Sequence, residues 1–150
     1  MTINIDRMKH SLAVAKKMKQ MAIDDPEKYP VDPDDAFVLG MLHDIGYEFS
    51  NEQQEHANKG GLILKDQGYK YWQEVYYHGI AQKEYDSQML RLLNYADMVT
   101  GSVGESMTIQ ERIDDIAERY GKGSWQEREA IMLTKIMDDL YKEHSCKENK

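Results

Sequence analysis

His43 and Asp44 stand side by side at the end of an apolar run, Ala36-Phe37-Val38-Leu39-Gly40-Met41-Leu42, and Ile45 follows them. An imidazole and a carboxylate in that setting are largely stripped of water, and a buried aspartate without a partner is costly. Asp97 poses the same problem. It follows Leu93 by four residues and Leu90 by seven, so in helical register it points inward with Met89, Leu90, Leu93, Ala96 and Thr100. His10 lies at the edge of the stripe formed by Val14, Met18 and Met21. Each residue alone has a plainer reading. A single inward histidine is more often a hydrogen-bonded core residue, and a single inward aspartate caps a helix or pairs with an arginine such as Arg91 or Arg112. All four together favour a divalent metal, which takes neutral imidazole and carboxylate ligands and offsets buried negative charge. Fe, Mn, Zn, Co and Ni all suit such a mixed nitrogen and oxygen set.

The elements that must position these residues read as helices. Asp32-Pro33 places a capping acceptor before a proline at the first helical position, with Asp34 and Asp35 at the positive helix end. Ser50 with Gln53, Thr108 with Glu111, and Ser124 with Glu127 have the spacing of reciprocal N-terminal caps. Gly46, Gly68, Gly79 and Gly121 sit where helices should stop. The pattern predicts helices near 4–22, 33–45, 51–67, 69–78, 87–100, 109–120 and 125–143, and no strand. The helix at 33–45 is apolar on every side and is expected to be the buried central one. The fold class is all-α, a compact bundle of about six or seven helices. Residues 1–150 form one domain, with 145–150 a polar tail.

Composition narrows the partners. Acidic residues exceed basic ones by eight (27 against 19). That balance argues against nucleic acid polymers and anionic membranes, yet leaves room for a small phosphorylated substrate at a local cationic site. A single cysteine, Cys146, excludes an internal disulfide and a thiolate-held zinc. The first ten residues lack the apolar stretch of a signal peptide, and the longest apolar run, 36–42, is far shorter than a membrane span. A cytoplasmic location is expected, and homodimerisation stays open.

The order His, then His-Asp, then Asp on successive helices resembles the HD superfamily of metal-dependent phosphohydrolases. Arg7-Met8-Lys9-His10-Ser11 looks like that family's first helix, and Gly40-Met41-Leu42-His43-Asp44-Ile45-Gly46 looks like its signature. Leu93-Asn94-Tyr95-Ala96-Asp97-Met98 is similar to the helix carrying its last aspartate, and the stretch 108–121, with Glu111-Arg112, also looks like family sequence. The resemblance implies an HD-type bundle with His10, His43, Asp44 and Asp97 as metal ligands. In some branches two further histidines hold a second metal, with Asp44 bridging. One such branch, with a similar ligand order, hydrolyses diadenosine polyphosphates. His56 and His78 are the candidates here. Their plainer readings are a solvated helix face beside Gln53, Gln54 and Glu55, and a helix C-terminal cap. Gly60 and Gly61 fall within the helix after His56, where missing side chains would let another helix or a ligand come close.

Many members of the family carry a lysine, thought to assist the substrate phosphate, where this chain has Tyr47. Arg7, Lys59 and Lys83 are the alternative cations. The implied chemistry is hydrolysis of a phosphate ester or anhydride, of a nucleotide for example, by metal-activated water. Asp44 would orient that water and Arg7 would help electrostatically. Tyr47, Phe49, Trp72, Tyr76 and Tyr77 are available to stack on a base or to pack. Two other readings stand. Proteins similar to myo-inositol oxygenase use the same six-ligand order as a di-iron oxygenase, which iron content and oxygen uptake would reveal. HD-like domains also serve as non-catalytic signalling or binding modules, and a folded metal-free protein would favour that role. A metal that only assists folding is a further possibility.

Overall fold

A computed structural model of the chain describes residues 4–49 and 55–148, with side chains up to residue 140. Among the described residues there are seven α-helices and no strand, as the sequence pattern requires. Asn4 caps α1 (Ile5–Asp24) by accepting from the backbone N–H of Arg7. Asp32 caps α2 (Pro33–Leu42) in the same way, with Pro33 opening the helix. A 3₁₀ turn (Ile45–Glu48) leads toward α3 (His56–Asp66) and α4 (Trp72–Tyr77). Ser87 caps α5 (Gln88–Met98). Thr108 and Glu111 form the expected reciprocal cap of α6 (Ile109–Tyr120). Before α7 (Trp125–Glu148), Ser124 accepts from Glu127, while the Glu127 carboxylate takes the N–H of Gly123. The Ser50 and Gln53 pair lies outside the described residues.

Two apolar clusters hold these helices together. The larger joins Val14, Met18 and Ala22 of α1, Ala36 and Leu39 of α2, Leu64 of α3, Val75 of α4, and Met89, Leu92, Leu93 and Ala96 of α5. The smaller joins Met98 at the end of α5 to Ile113 of α6 and Ala130 and Leu133 of α7. α1 and α2 come close at a glycine: a Cβ on Gly40 would lie 2.5 Å from the Ala15 Cα.

Two expectations are corrected. α2 is not the buried central helix, because Val38 and Met41 are 47% and 37% exposed and only the face of Ala36, Leu39 and Gly40 is covered. Much of any folded surface is apolar, so an all-apolar helix need not be buried all round. The central position belongs to α5, buried at Met89, Leu90, Leu92, Leu93, Asn94, Ala96 and Met98. α2 also stops at Leu42 rather than at Gly46, which lies inside the 3₁₀ turn with negative φ. A Cβ on Gly46 would meet the His56 carbonyl oxygen at 1.7 Å, so the position needs glycine for space, not for a left-handed cap. α7 continues to Glu148, within the polar stretch 145–150, and residues 149–150 lie outside the described part. Among the described residues no helix is long and apolar enough to cross a membrane.

Candidate metal centre

Five elements each deliver one or two side chains to one place. α1 brings His10 on its buried stripe with Val14 and Met18. The C-terminal end of α2 delivers His43 as its cap residue and Asp44 just beyond. His56 opens α3, His78 caps the C-terminus of α4, and Asp97 comes from the last turn of α5. His10, His43 and His78 are 6%, 0% and 2% exposed.

The Asp44 carboxylate lies between the imidazoles. Its Oδ2 is 3.3 Å from His43 Nε2 and 3.7 Å from His10 Nε2. Its Oδ1 is 3.3 Å from the Nε2 atoms of both His56 and His78. Asp97 Oδ1 lies 2.8 Å from His10 Nε2 and 3.5 Å from His43 Nε2. His56 and His78 approach each other at 3.2 Å. Two ligand sets thus share Asp44: His10, His43 and Asp97 on one side, His56 and His78 on the other.

The opposite ring nitrogens explain the orientation. Nδ1 of His10 donates to the Gly101 carbonyl at 2.8 Å, that of His43 to Gly40 at 2.6 Å, and that of His78 to Val75 at 2.6 Å. A backbone carbonyl can only accept, so each bond places a hydrogen on Nδ1 and leaves the Nε2 lone pair facing the carboxylates. Lone pairs opposed to carboxylate oxygens require a proton or a cation between them. His43 Nε2 is buried and makes no hydrogen bond. The donor set therefore fits a divalent metal, which these residues would hold through Nε2 and carboxylate oxygens.

The electrostatics of these side chains make the same demand for positive charge. Burial pulls His43 down, but the Asp44 and Asp97 carboxylates outweigh it and leave it well above 6.5. His10 is raised too, against burial, by Asp97 and then Asp44. Burial holds His78 below 6.5, aided by the charges of His56 and His43 against Asp44. Burial alone would raise Asp44 and Asp97; the surrounding imidazoles reverse this and set both well below 3.8.

The plainer readings of the other candidates now separate. His56 does not lie on a solvated face; its side chain is 16% exposed and turned inward. His78 is indeed a helix cap, and also faces Asp44. Asp97 pairs with neither arginine: Arg91 bonds Asp86, and Arg112 bonds Asp115. Lys59 and Lys83 are exposed partners of Glu55 and Asp139 and are not among the residues lining the clefts at the site. Arg7 stays at the rim, its guanidinium 4.0 Å over the Tyr47 ring. Of the aromatic candidates only Tyr47 faces the site. Trp72, Tyr76 and Tyr77 pack in a ring-edge chain, and Phe49 is 52% exposed.

Sequence reasoning missed several contributors. The buried Asn94 accepts the Gly79 N–H at 2.9 Å, tying the residue after His78 to α5. A Cβ on Gly61 would lie 2.7 Å from the Tyr76 Cα, so glycine lets α3 meet α4; the reading of close approach there holds. A cavity of about 450 Å³ opens beside His10, Asp44, His56, His78 and Asp97. Its far wall belongs to α6 and α7, including Arg112, Arg119, Tyr120 and Trp125. Arg112 and Arg119 share one carboxylate, Asp115, at 3.3 Å each, and Arg119 also donates to Ser102. Nothing in an amphipathic charged helix distinguishes such cations from solvated ones.

Helices of an all-helical domain thus bring four histidines around a shared aspartate, a cluster that could hold a metal. The family model of the HD domain matches residues 7–139, and the chain belongs to that family. HD domains bind divalent metals, and most are metal-dependent hydrolases. No curated protein and no solved structure matches the chain.

Proposed function

We propose that this chain is a metal-dependent phosphohydrolase that cleaves a phosphate ester or anhydride of a small molecule, with nucleotides as the first substrates to test. The observation that carries the reading is the Asp44 carboxylate set between four imidazole Nε2 atoms, with Asp97 on one side. His10, His43, Asp44 and Asp97 would hold one metal, and Asp44, His56 and His78 a second. A divalent metal so held polarises a phosphoryl oxygen and lowers the pKa of water to near neutrality.

The chain's own groups supply the rest. Asp44 is placed to orient the attacking water. Arg112 and Arg119 face the cavity, sharing Asp115, on a wall that also carries Glu129, and so place two guanidiniums beside the site in a protein of net charge −8. Arg7 lines the adjoining cleft with His10 and Asp44 and would balance charge developing on the phosphoryl oxygens. A cavity of about 450 Å³ suits a small molecule. Tyr120 and Trp125 offer ring surface on the same wall.

Elemental analysis of the purified protein, followed by a screen of phosphate esters, anhydrides and nucleotides with the identified metal, tests the reading. Phosphate release that disappears with chelator and returns with metal is the expected result. Bound iron with oxygen uptake and no phosphate release would identify an oxygenase instead. A protein that stays folded and binds no metal would refute both.

A further inference from the structure

We infer that Tyr47 is a positioning residue for the second metal site, setting the His56 imidazole through a stack of three planar groups. The inference rests on the two-metal reading above. The rings of Tyr47 and His56 lie 4.0 Å apart and 10° from parallel, so they are in full face contact. The Arg7 guanidinium covers the other face of Tyr47 at 4.0 Å. The order is Arg7, Tyr47, His56, and then, at the Nε2 edge of His56, Asp44 and His78.

His56 stands at the end of its helix, where a packing surface tells most on the ring. It is the first residue of α3, whose N-cap Glu55 makes no side-chain capping bond. Helix ends fray, so the helix by itself fixes this ring poorly. The 3₁₀ turn covers one face of the His56 ring with Tyr47. That turn is registered against α3 by Gly46, where a Cβ would collide with the His56 carbonyl, and by Gly60, where a Cβ would lie 2.9 Å from the Gly46 nitrogen. Tyr47 is thus carried to His56 by a backbone contact. Arg7, three residues before His10, links the stack to the helix that serves the first site. At this position the chain uses a ring where a lysine is common in the family, and the nearby cation is Arg7.

Titration of metal-free protein with Mn²⁺ by calorimetry, and with Co²⁺ by visible absorption, separates the sites. Wild type is expected to bind two metals. Tyr47→Leu should weaken one of them by about 10- to 100-fold, as loss of an orienting partner does, and leave the other nearly unchanged. Tyr47→Phe should keep both affinities, since the ring face rather than the hydroxyl does the positioning. His56→Ala should remove the same step that Tyr47→Leu weakens. Arg7→Gln, a milder change that serves if Tyr47→Leu fails to fold by circular dichroism, should weaken that step by about two- to fivefold. Equal losses at both sites, no loss in Tyr47→Leu, or no loss in Arg7→Gln where Tyr47→Leu does not fold would overturn the positioning role. So would a Phe variant as weak as Leu. A wild-type protein saturating at one metal would refute the two-metal reading itself, and the inference with it, before any variant is compared.

Discussion

Replacing Asp44 by asparagine keeps the shape of the side chain and removes one charge and one acceptor. The two oxygens of Asp44 serve different imidazole pairs: Oδ2 faces His43 and His10, and Oδ1 faces His56 and His78. An amide offers one acceptor oxygen and an NH₂ group with no lone pair for a cation. Whichever way the amide turns, one ligand set loses its bridging oxygen and both lose negative charge. A four-ligand structural zinc site holds its metal by about 10–16 kcal/mol, so one ligand is worth about 3 kcal/mol. That corresponds to about 100-fold in affinity. Calorimetric titration of Asp44→Asn should therefore show one site weakened by about 100-fold or lost, and the other weakened less. Phosphate release should fall to background, while circular dichroism should still report a helical protein. An asparagine variant that keeps both affinities within about threefold of wild type would refute the shared-carboxylate geometry.

In the metal-free protein, the raised His10 and His43 contribute stability that is full below 6.5 and lost as pH rises through their folded-state values. The depressed Asp44 and Asp97 contribute stability present above 3.8 and lost as pH falls, while His78 shifts oppositely and cancels part of the imidazole gain. Metal-free protein should therefore melt highest between about 4 and 6.5, and the Tm increment from added metal should grow from mildly acid to mildly alkaline buffer; an increment that shrinks would count against this. Gly40→Ala forces a Cβ to within 2.5 Å of the Ala15 Cα. Parting α1 from α2 should cost about 1–3 kcal/mol, a Tm loss of roughly 3–10 °C, and should weaken metal binding because His10 and His43 ride on those helices. Asn94→Ala leaves the Gly79 N–H without its partner, which should cost about 1–3 kcal/mol in chemical denaturation and loosen His78; unchanged stability would show that the bond is dispensable.

The site was legible where a residue type broke an apolar pattern. Asp97 on the stripe of Leu90 and Leu93, and His43-Asp44 after seven apolar residues, announce themselves because burial makes them costly. The elements that orient them were not legible. The carbonyls of Gly40, Val75 and Gly101 fix three imidazoles, and every residue carries a carbonyl. Stacking of Tyr47 on His56 depends on a turn whose course only the fold reveals. Gly46 was misread as a helix stop because a glycine needed for space and one needed for backbone conformation look alike in one dimension. Gly60 and Gly61 were read correctly because glycine inside a helix has few other reasons to persist. α2 was misplaced because periodicity reports which sides are apolar, not which sides are covered. The wall of α6 and α7 was invisible, since Arg112 and Arg119 with Asp115 follow the spacing of any solvated helix.

All six candidate ligands come from the stretch between α1 and α5, whereas α6 and α7 supply none among the described residues and rest on the end of α5 through the small apolar cluster around Met98. This separates two evolutionary pressures. Substitution in the last third of the chain can reshape the cavity while His10, His43 and His78 stay held by the carbonyls of Gly101, Gly40 and Val75, which lie outside α6 and α7. Descendants of such a domain would be expected to diverge in what they accept long before they diverge in how they bind metal. For an engineer, the same partition makes the α6–α7 surface the place to graft new specificity, and α1 to α5 with the Gly101 carbonyl the frame to leave alone.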